Sequence, residues 1–196
     1  MKNIMSVDLE DHFCDLPYNT WKNYESRVVE STNYLLDVFE KFNVKATFFT
    51  LGYIVEKHPE LILDIKNRGH EISSHGYFHR DLRKINKDSF EKELIKSLEI
   101  IKKITGEKVL GFRAPWFSIN KKNLWVFEVL KKYLKYDSSI FPSNFHYGLG
   151  DAPKHIYKIS DDDPLSHNSK SEFFEIPMTT LKIPIIGNMP VSGGIY

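Results

Sequence analysis

The chain has 196 residues, 41% of them hydrophobic and 27% charged, which is long enough for one packed domain, short for two, and too apolar for disorder. Lys and Arg total 27 against 26 Asp and Glu, so the net charge of +1 lacks the basic excess that nucleic-acid binding draws on. The single cysteine, Cys14, excludes an intrachain disulfide, and no apolar run approaches the ~20 residues that span a bilayer.

The first residues carry no signal-peptide pattern, because Ile4, Met5 and Val7 run directly into Asp8, Glu10 and Asp11. A cytoplasmic location is expected, unless a leader has been removed. Asn3 to Leu9 reads as a strand. Ser26 to Phe42 places Val29, Tyr34, Leu35, Val38, Phe39 and Phe42 at helical spacing, and Lys45 to Thr50 is a β-branched and aromatic strand. His58 to Asn67 predicts a helix with Pro59 in its first turn and Gly69 beyond its end. Glu71 to His75 follows as a strand. Lys87 to Thr105 is the clearest helix: Asp88 or Ser89 can cap it, and Gly106 stops it. Val109 to Arg113 predicts a strand, Asn120 caps a helix to about Tyr133, and Tyr136 to Ser139 starts another strand. Asn144 to Ser171 reads as a long loop. Glu172 to Ile176 and Thr179 to Ile186 are strands limited by Pro177 and Pro184, and the chain ends in the apolar stretch Val191 to Tyr196. The alternation predicts an α/β fold with a largely parallel sheet, and such folds place their sites at strand C-terminal ends.

Three constellations fall at those ends. Asp8, Glu10 and Asp11 crowd the first, and strand alternation puts Asp8 and Glu10 on one face. Carboxylates this close raise one another's pKa unless a cation compensates, although a solvated strand exit has the same composition. His75 and His79 are four apart with Gly76 between them. Two surface histidines give that spacing, but joined to an acid from another strand end they make a two-His-one-carboxylate site with open coordination positions. In Gly111 to Phe117, Arg113 can hold a carboxylate bidentately and Trp116 can stack on a sugar; an ordinary salt bridge beside a core Trp is the plainer alternative.

Together these segments resemble the polysaccharide deacetylase superfamily (NodB homology, carbohydrate esterase family 4). Its pattern is an acid pair after the first strand, then HxxxH, then an R-x-P-W/Y segment. Asp8/Glu10/Asp11, His75/His79 and Arg113/Pro115/Trp116 follow that order, and Ala46-Thr-Phe-Phe49 and Gly69-His-Glu-Ile-Ser-Ser-His75 are similar to two further family strings. The resemblance covers about residues 1 to 186. The D-x-E-D start is similar to the branch holding allantoinase-like enzymes, a Gram-negative peptidoglycan deacetylase and exosortase-associated polysaccharide deacetylases.

The resemblance implies a distorted, incomplete (β/α) barrel, with residues 1–196 forming a single catalytic domain shortened at its C-terminal end. It implies metal-dependent removal of N-acetyl groups from amino sugars of a polysaccharide or its precursor, with zinc as the usual metal. His75 and His79 would be ligands. In one register Asp8 is the catalytic base and Glu10 the metal carboxylate; in the other, Glu10 is the base and Asp11 the ligand. Arg113 would hold the base, a backbone N–H near Trp116 or Tyr77 would stabilise the oxyanion, and Tyr77, Pro115 and Trp116 would flank the substrate. The family's late histidine, which protonates the leaving amine, lies beyond the Gly193-Gly-Ile-Tyr196 stretch, and His146, His155 and His167 read as loop residues. The expected partner is an N-acetylated glycan, with no nucleic acid and no membrane insertion, and with self-association through an unfinished sheet edge. The rival readings are an allantoinase-like cyclic-amide hydrolase and a non-catalytic carbohydrate-binding relic.

Overall fold

The computed structural model of the protein describes residues 4–143, 148–150, 152–184 and 187–191. They form two compact units, Met1–Arg80 with Lys92–Val109, and Asp81–Glu91 with Leu110–Tyr196.

The first unit is built on three parallel strands, β1 (Met5–Leu9), β2 (Ala46–Thr50) and β3 (Glu71–Ser74), ordered β1-β2-β3. Helices connect them: α1 (Val28–Lys41) between β1 and β2, then α2 (Gly52–Lys57) and α3 (Pro59–Asn67) between β2 and β3. The central strand reads as a continuous apolar run because both of its faces are covered; Phe48 and Phe49 are buried, as are Leu36 of α1, Ile54 of α2 and Ile62 of α3. Pro59 occupies the first turn of α3, and Gly69 follows the helix in the left-handed conformation, φ +79°. Helix α4 (Lys87–Thr105) has the predicted limits. Its N-cap is Asn86 rather than Asp88 or Ser89: Asn86 Oδ1 accepts from the Ser89 N–H at 2.9 Å, satisfying a donor that has no partner within the helix.

The second unit carries β4 (Gly111–Phe112), α5 (Trp125–Tyr133), β5 (Tyr136–Asp137), β6 (Tyr157–Lys158) and β7 (Phe174–Glu175), its strands ordered β4-β5-β7-β6. The β4–β5 and β5–β7 pairs are parallel and β6–β7 is antiparallel. A separate antiparallel hairpin joins β8 (Thr180–Ile183) to β9 (Gly187–Pro190). Asn120 does not cap α5. Its Oδ1 accepts from the Lys122 N–H at 2.7 Å in a local turn, and the helix begins only at Trp125. The predicted loop 144–171 contains β6, whose two residues are too few to give a sequence signal. No described helix is long and apolar enough to cross a membrane.

Candidate metal centre

Strand β1 delivers Asp8 within it and Glu10 just past its end, and β3 leads directly into His75. Glu10, His75 and His79 converge, each offering a ligand atom within 4.8 Å of the others. Glu10 Oε2 lies 2.8 Å from His79 Nε2 and 3.9 Å from His75 Nε2. The two imidazoles are 2% and 5% exposed and Glu10 30%, so the cluster opens to solvent on the carboxylate side. Two imidazole nitrogens and one carboxylate oxygen suit a borderline cation such as zinc, and three ligands leave a tetrahedral position open. Burial opposes protonation of His79, but the close approach of Glu10 and the charges of Glu10, Asp15 and Asp8 outweigh it, so the ring titrates above its ordinary value. The charge on Asp8 thus reaches His79.

The turn between the histidines is held from several sides. The His75 N–H donates to Thr50 O at 3.0 Å, and Gly52 N–H donates to Gly76 O at 2.9 Å. Gly76 takes φ +78°, open to glycine at little cost, and its N–H donates to Ser74 Oγ at 3.1 Å. Glu93 of α4 accepts from the N–H groups of Tyr77 (3.2 Å) and Phe78 (3.0 Å). His79 itself sits at φ +53°, a conformation that costs a non-glycine residue about 1 kcal/mol or more and persists only where its surroundings enforce it.

Asp11 and Tyr77 do not sit where the family pattern suggests. Asp11 turns away from the cluster, accepting from Ser26 Oγ at 2.5 Å and the Arg27 N–H at 3.0 Å. Tyr77 is 2% exposed, its hydroxyl donates to Glu56, and its amide is taken by Glu93, so it supports the turn instead of facing a substrate. Sequence reasoning also missed Glu93 and Asp15. Asp15 Oδ1 lies 3.3 Å from His79 Nδ1, and burial raises the Asp15 pKa in spite of that neighbour. Neither residue belongs to a motif; the only signal was an acid within helix α4 and another in a loop. Cys14, next to Asp15, is 2% exposed, and burial pushes its thiol up to about 12.

In the second unit Arg113 follows β4 and is 3% exposed. Its Nε–H donates to Ser138 O at 2.9 Å and its terminal nitrogen to Ser138 Oγ at 3.0 Å, and the guanidinium lies over the Phe117 ring. Pro115 is buried. Trp116 is half-buried, and Trp116 and Phe117 take φ +60° and +45°, two successive left-handed residues that mark this turn as strained. Asp137 and Glu175 are fully buried and close to each other; burial raises both pKa values, and the charge of Asp137 adds to the rise at Glu175. His155 and His167 are exposed, and His146 lies outside the described residues.

The sequence and the fold are similar to those of known proteins. The polysaccharide deacetylase family model matches residues 18–133, more than half of the chain, and the chain belongs to that family. The chain is 33% identical to a peptidoglycan deacetylase of Helicobacter pylori over 150 residues, covering 73% of this chain and 50% of the relative. It is 39% identical to a peptidoglycan-N-acetylglucosamine deacetylase of Bacillus cereus over 101 residues, covering 51% of this chain and 37% of the relative. It therefore spans half the length, or less, of these relatives. A solved structure from Mycobacterium smegmatis, assigned to the polysaccharide deacetylases, superposes with a TM-score of 0.69 at 23% identity, over 98% of this chain and 65% of that one. The fold is the distorted, incomplete (β/α) barrel of this family.

Proposed function

We propose that the protein is a metal-dependent hydrolase that removes N-acetyl groups from amino sugars of a glycan, with peptidoglycan or its precursors as the substrate class. The observation that carries the reading is the convergence of Glu10, His75 and His79. The names of the Helicobacter pylori and Bacillus cereus relatives support the substrate class.

In this reading His75, His79 and Glu10 hold one zinc ion. When bound, it supplies Lewis-acid polarisation of the acetyl carbonyl and a water acidic enough to be activated near neutral pH. Asp8, on the same strand face as Glu10, accepts the proton of the attacking water. Glu10 serves as ligand and not as base, because its Oε2 lies 2.8 Å from His79 Nε2 and 3.9 Å from His75 Nε2. Arg113 and Trp116 are proposed as the positioning cation and the sugar-facing ring, roles that their place after β4 supports.

The test is elemental analysis beside an acetate-release assay on N-acetylglucosamine oligosaccharides. The expected result is one zinc per chain and acetate release in the wild type, with both lost in His75→Ala. Stoichiometric zinc retained in His75→Ala would overturn the centre. Zinc without acetate release from any acetylated sugar would favour the binding relic.

A further inference from the structure

We propose that Asp15 is a positioning residue of the metal centre: its carboxylate holds the Nδ1 edge of His79, so that Nε2 stays turned toward Glu10 and His75. The inference rests on the metal-centre reading above.

The His79 ring is held between two carboxylates on opposite nitrogens. Glu10 Oε2 approaches Nε2 at 2.8 Å, and Asp15 Oδ1 approaches Nδ1 at 3.3 Å, an ion-pair distance without hydrogen-bond alignment. These nitrogens point away from each other across the imidazole. A carboxylate at Nδ1 is therefore not a ligand for an ion held at Nε2; it stands behind the ring. An imidazole that offers the Nε2 lone pair must carry its proton on Nδ1. A carboxylate beside that nitrogen favours the Nδ1–H tautomer by its charge and makes the ring a stronger donor. The other acids of the segment are placed for different work, Asp11 on Ser26 and Arg27, and Glu10 in the cluster itself.

Two features make the orientation matter. His79 is held at φ +53°, so its side chain leaves a left-handed backbone, and its direction depends on what grips the ring. The segment carrying Asp15 is itself anchored. Cys14 N–H donates to Asp11 O at 2.8 Å and Leu16 N–H to Phe13 O at 2.9 Å, while Trp21 Nε1–H donates to Leu16 O at 2.8 Å. Phe13, Cys14 and Trp21 are each 2% exposed. Asp15 is 54% exposed and so reaches His79 from the solvent side of a fixed turn.

The experiment measures zinc stoichiometry, and zinc affinity by competition with a chromogenic chelator, on the full chain as wild type, Asp15→Ala and Asp15→Asn. Thermal melting of the metal-free proteins is recorded alongside. Loss of the partner behind a ligating histidine weakens zinc by about ten- to a hundredfold, and that loss is expected for Asp15→Ala. Asp15→Asn keeps an acceptor oxygen without the charge and is expected to fall between the two. The metal-free melting temperatures should agree, because Asp15 is half exposed; a purely structural role would lower them and leave affinity alone. Zinc bound by the wild type and equally tightly by Asp15→Ala overturns the role of Asp15 and leaves the metal centre standing. A wild type that binds no zinc overturns both.

Discussion

Asp11 accepts hydrogen bonds from Ser26 Oγ and the Arg27 amide with a side chain 1% exposed, while its neighbour Glu10 faces the two histidines. One residue step, just past the end of β1 at Leu9, separates a group that anchors the chain from one that faces the two histidines. The two are separable by experiment. Asp11→Ala leaves the Arg27 amide and Ser26 hydroxyl without their acceptor and is expected to cost about 1–3 kcal/mol of stability in chemical denaturation, with zinc retained. Glu10→Gln should do the reverse, keeping the midpoint and losing zinc. Zinc lost from Asp11→Ala and kept by Glu10→Gln would assign the ligand to Asp11. The choice between the two was not legible in the sequence, where D-x-E-D admits two registers. Only the position of Ser26, fifteen residues away, resolves where the Asp11 carboxylate goes.

The elements that were legible are those whose pattern repeats over several turns or fills a buried strand. Helix α4 was bounded correctly because Lys87 to Thr105 carries an amphipathic stripe with a stop at Gly106. Strand β2 was legible because Ala46–Thr50 is buried and β-branched or aromatic. Helix α2 was not: Gly52–Lys57 is shorter than two turns, starts on a glycine and lacks a capping side chain. Its glycine is there for contact. A Cβ at Gly52 would lie 3.2 Å from Tyr77 Cγ and closer still to Cδ2, and Tyr77 is too enclosed to move. Gly52→Ala is therefore expected to lose about 1–3 kcal/mol by overpacking, and to weaken zinc binding because Tyr77 lies in the turn between the two histidines. An alanine variant with unchanged melting and unchanged zinc affinity would show that the ring has room to yield.

Stability of the folded protein should depend on pH through Asp137 and Glu175, two fully buried neighbouring carboxyls whose burial favours their protonated forms. Unfolded, both titrate near the ordinary carboxyl value of about 4. Folded, burial holds both higher, so above that value the native state keeps protons the unfolded state has released. By linkage, stability is full at acid pH and is lost as pH rises through the raised values. Glu175→Gln keeps an acceptor for the Ile140 amide and a donor toward Asp137 without a proton to lose. Its melting temperature should fall less than that of the wild type between about pH 5 and about pH 8; equal slopes would place the dependence elsewhere. Cys14, the chain's one sulfhydryl, makes a different property measurable. Its burial and a pKa near 12 leave almost no thiolate at neutral pH, so an aromatic disulfide reagent can react only when the segment from Asp11 to Leu16 opens. The labelling rate then counts openings of that segment, and zinc, bridging Glu10 to the histidines, should slow it. The molecule thus carries its own reporter of breathing at the site, read by absorbance in an untagged chain. Labelling at the same rate with and without zinc would mean that this segment opens independently of the ion.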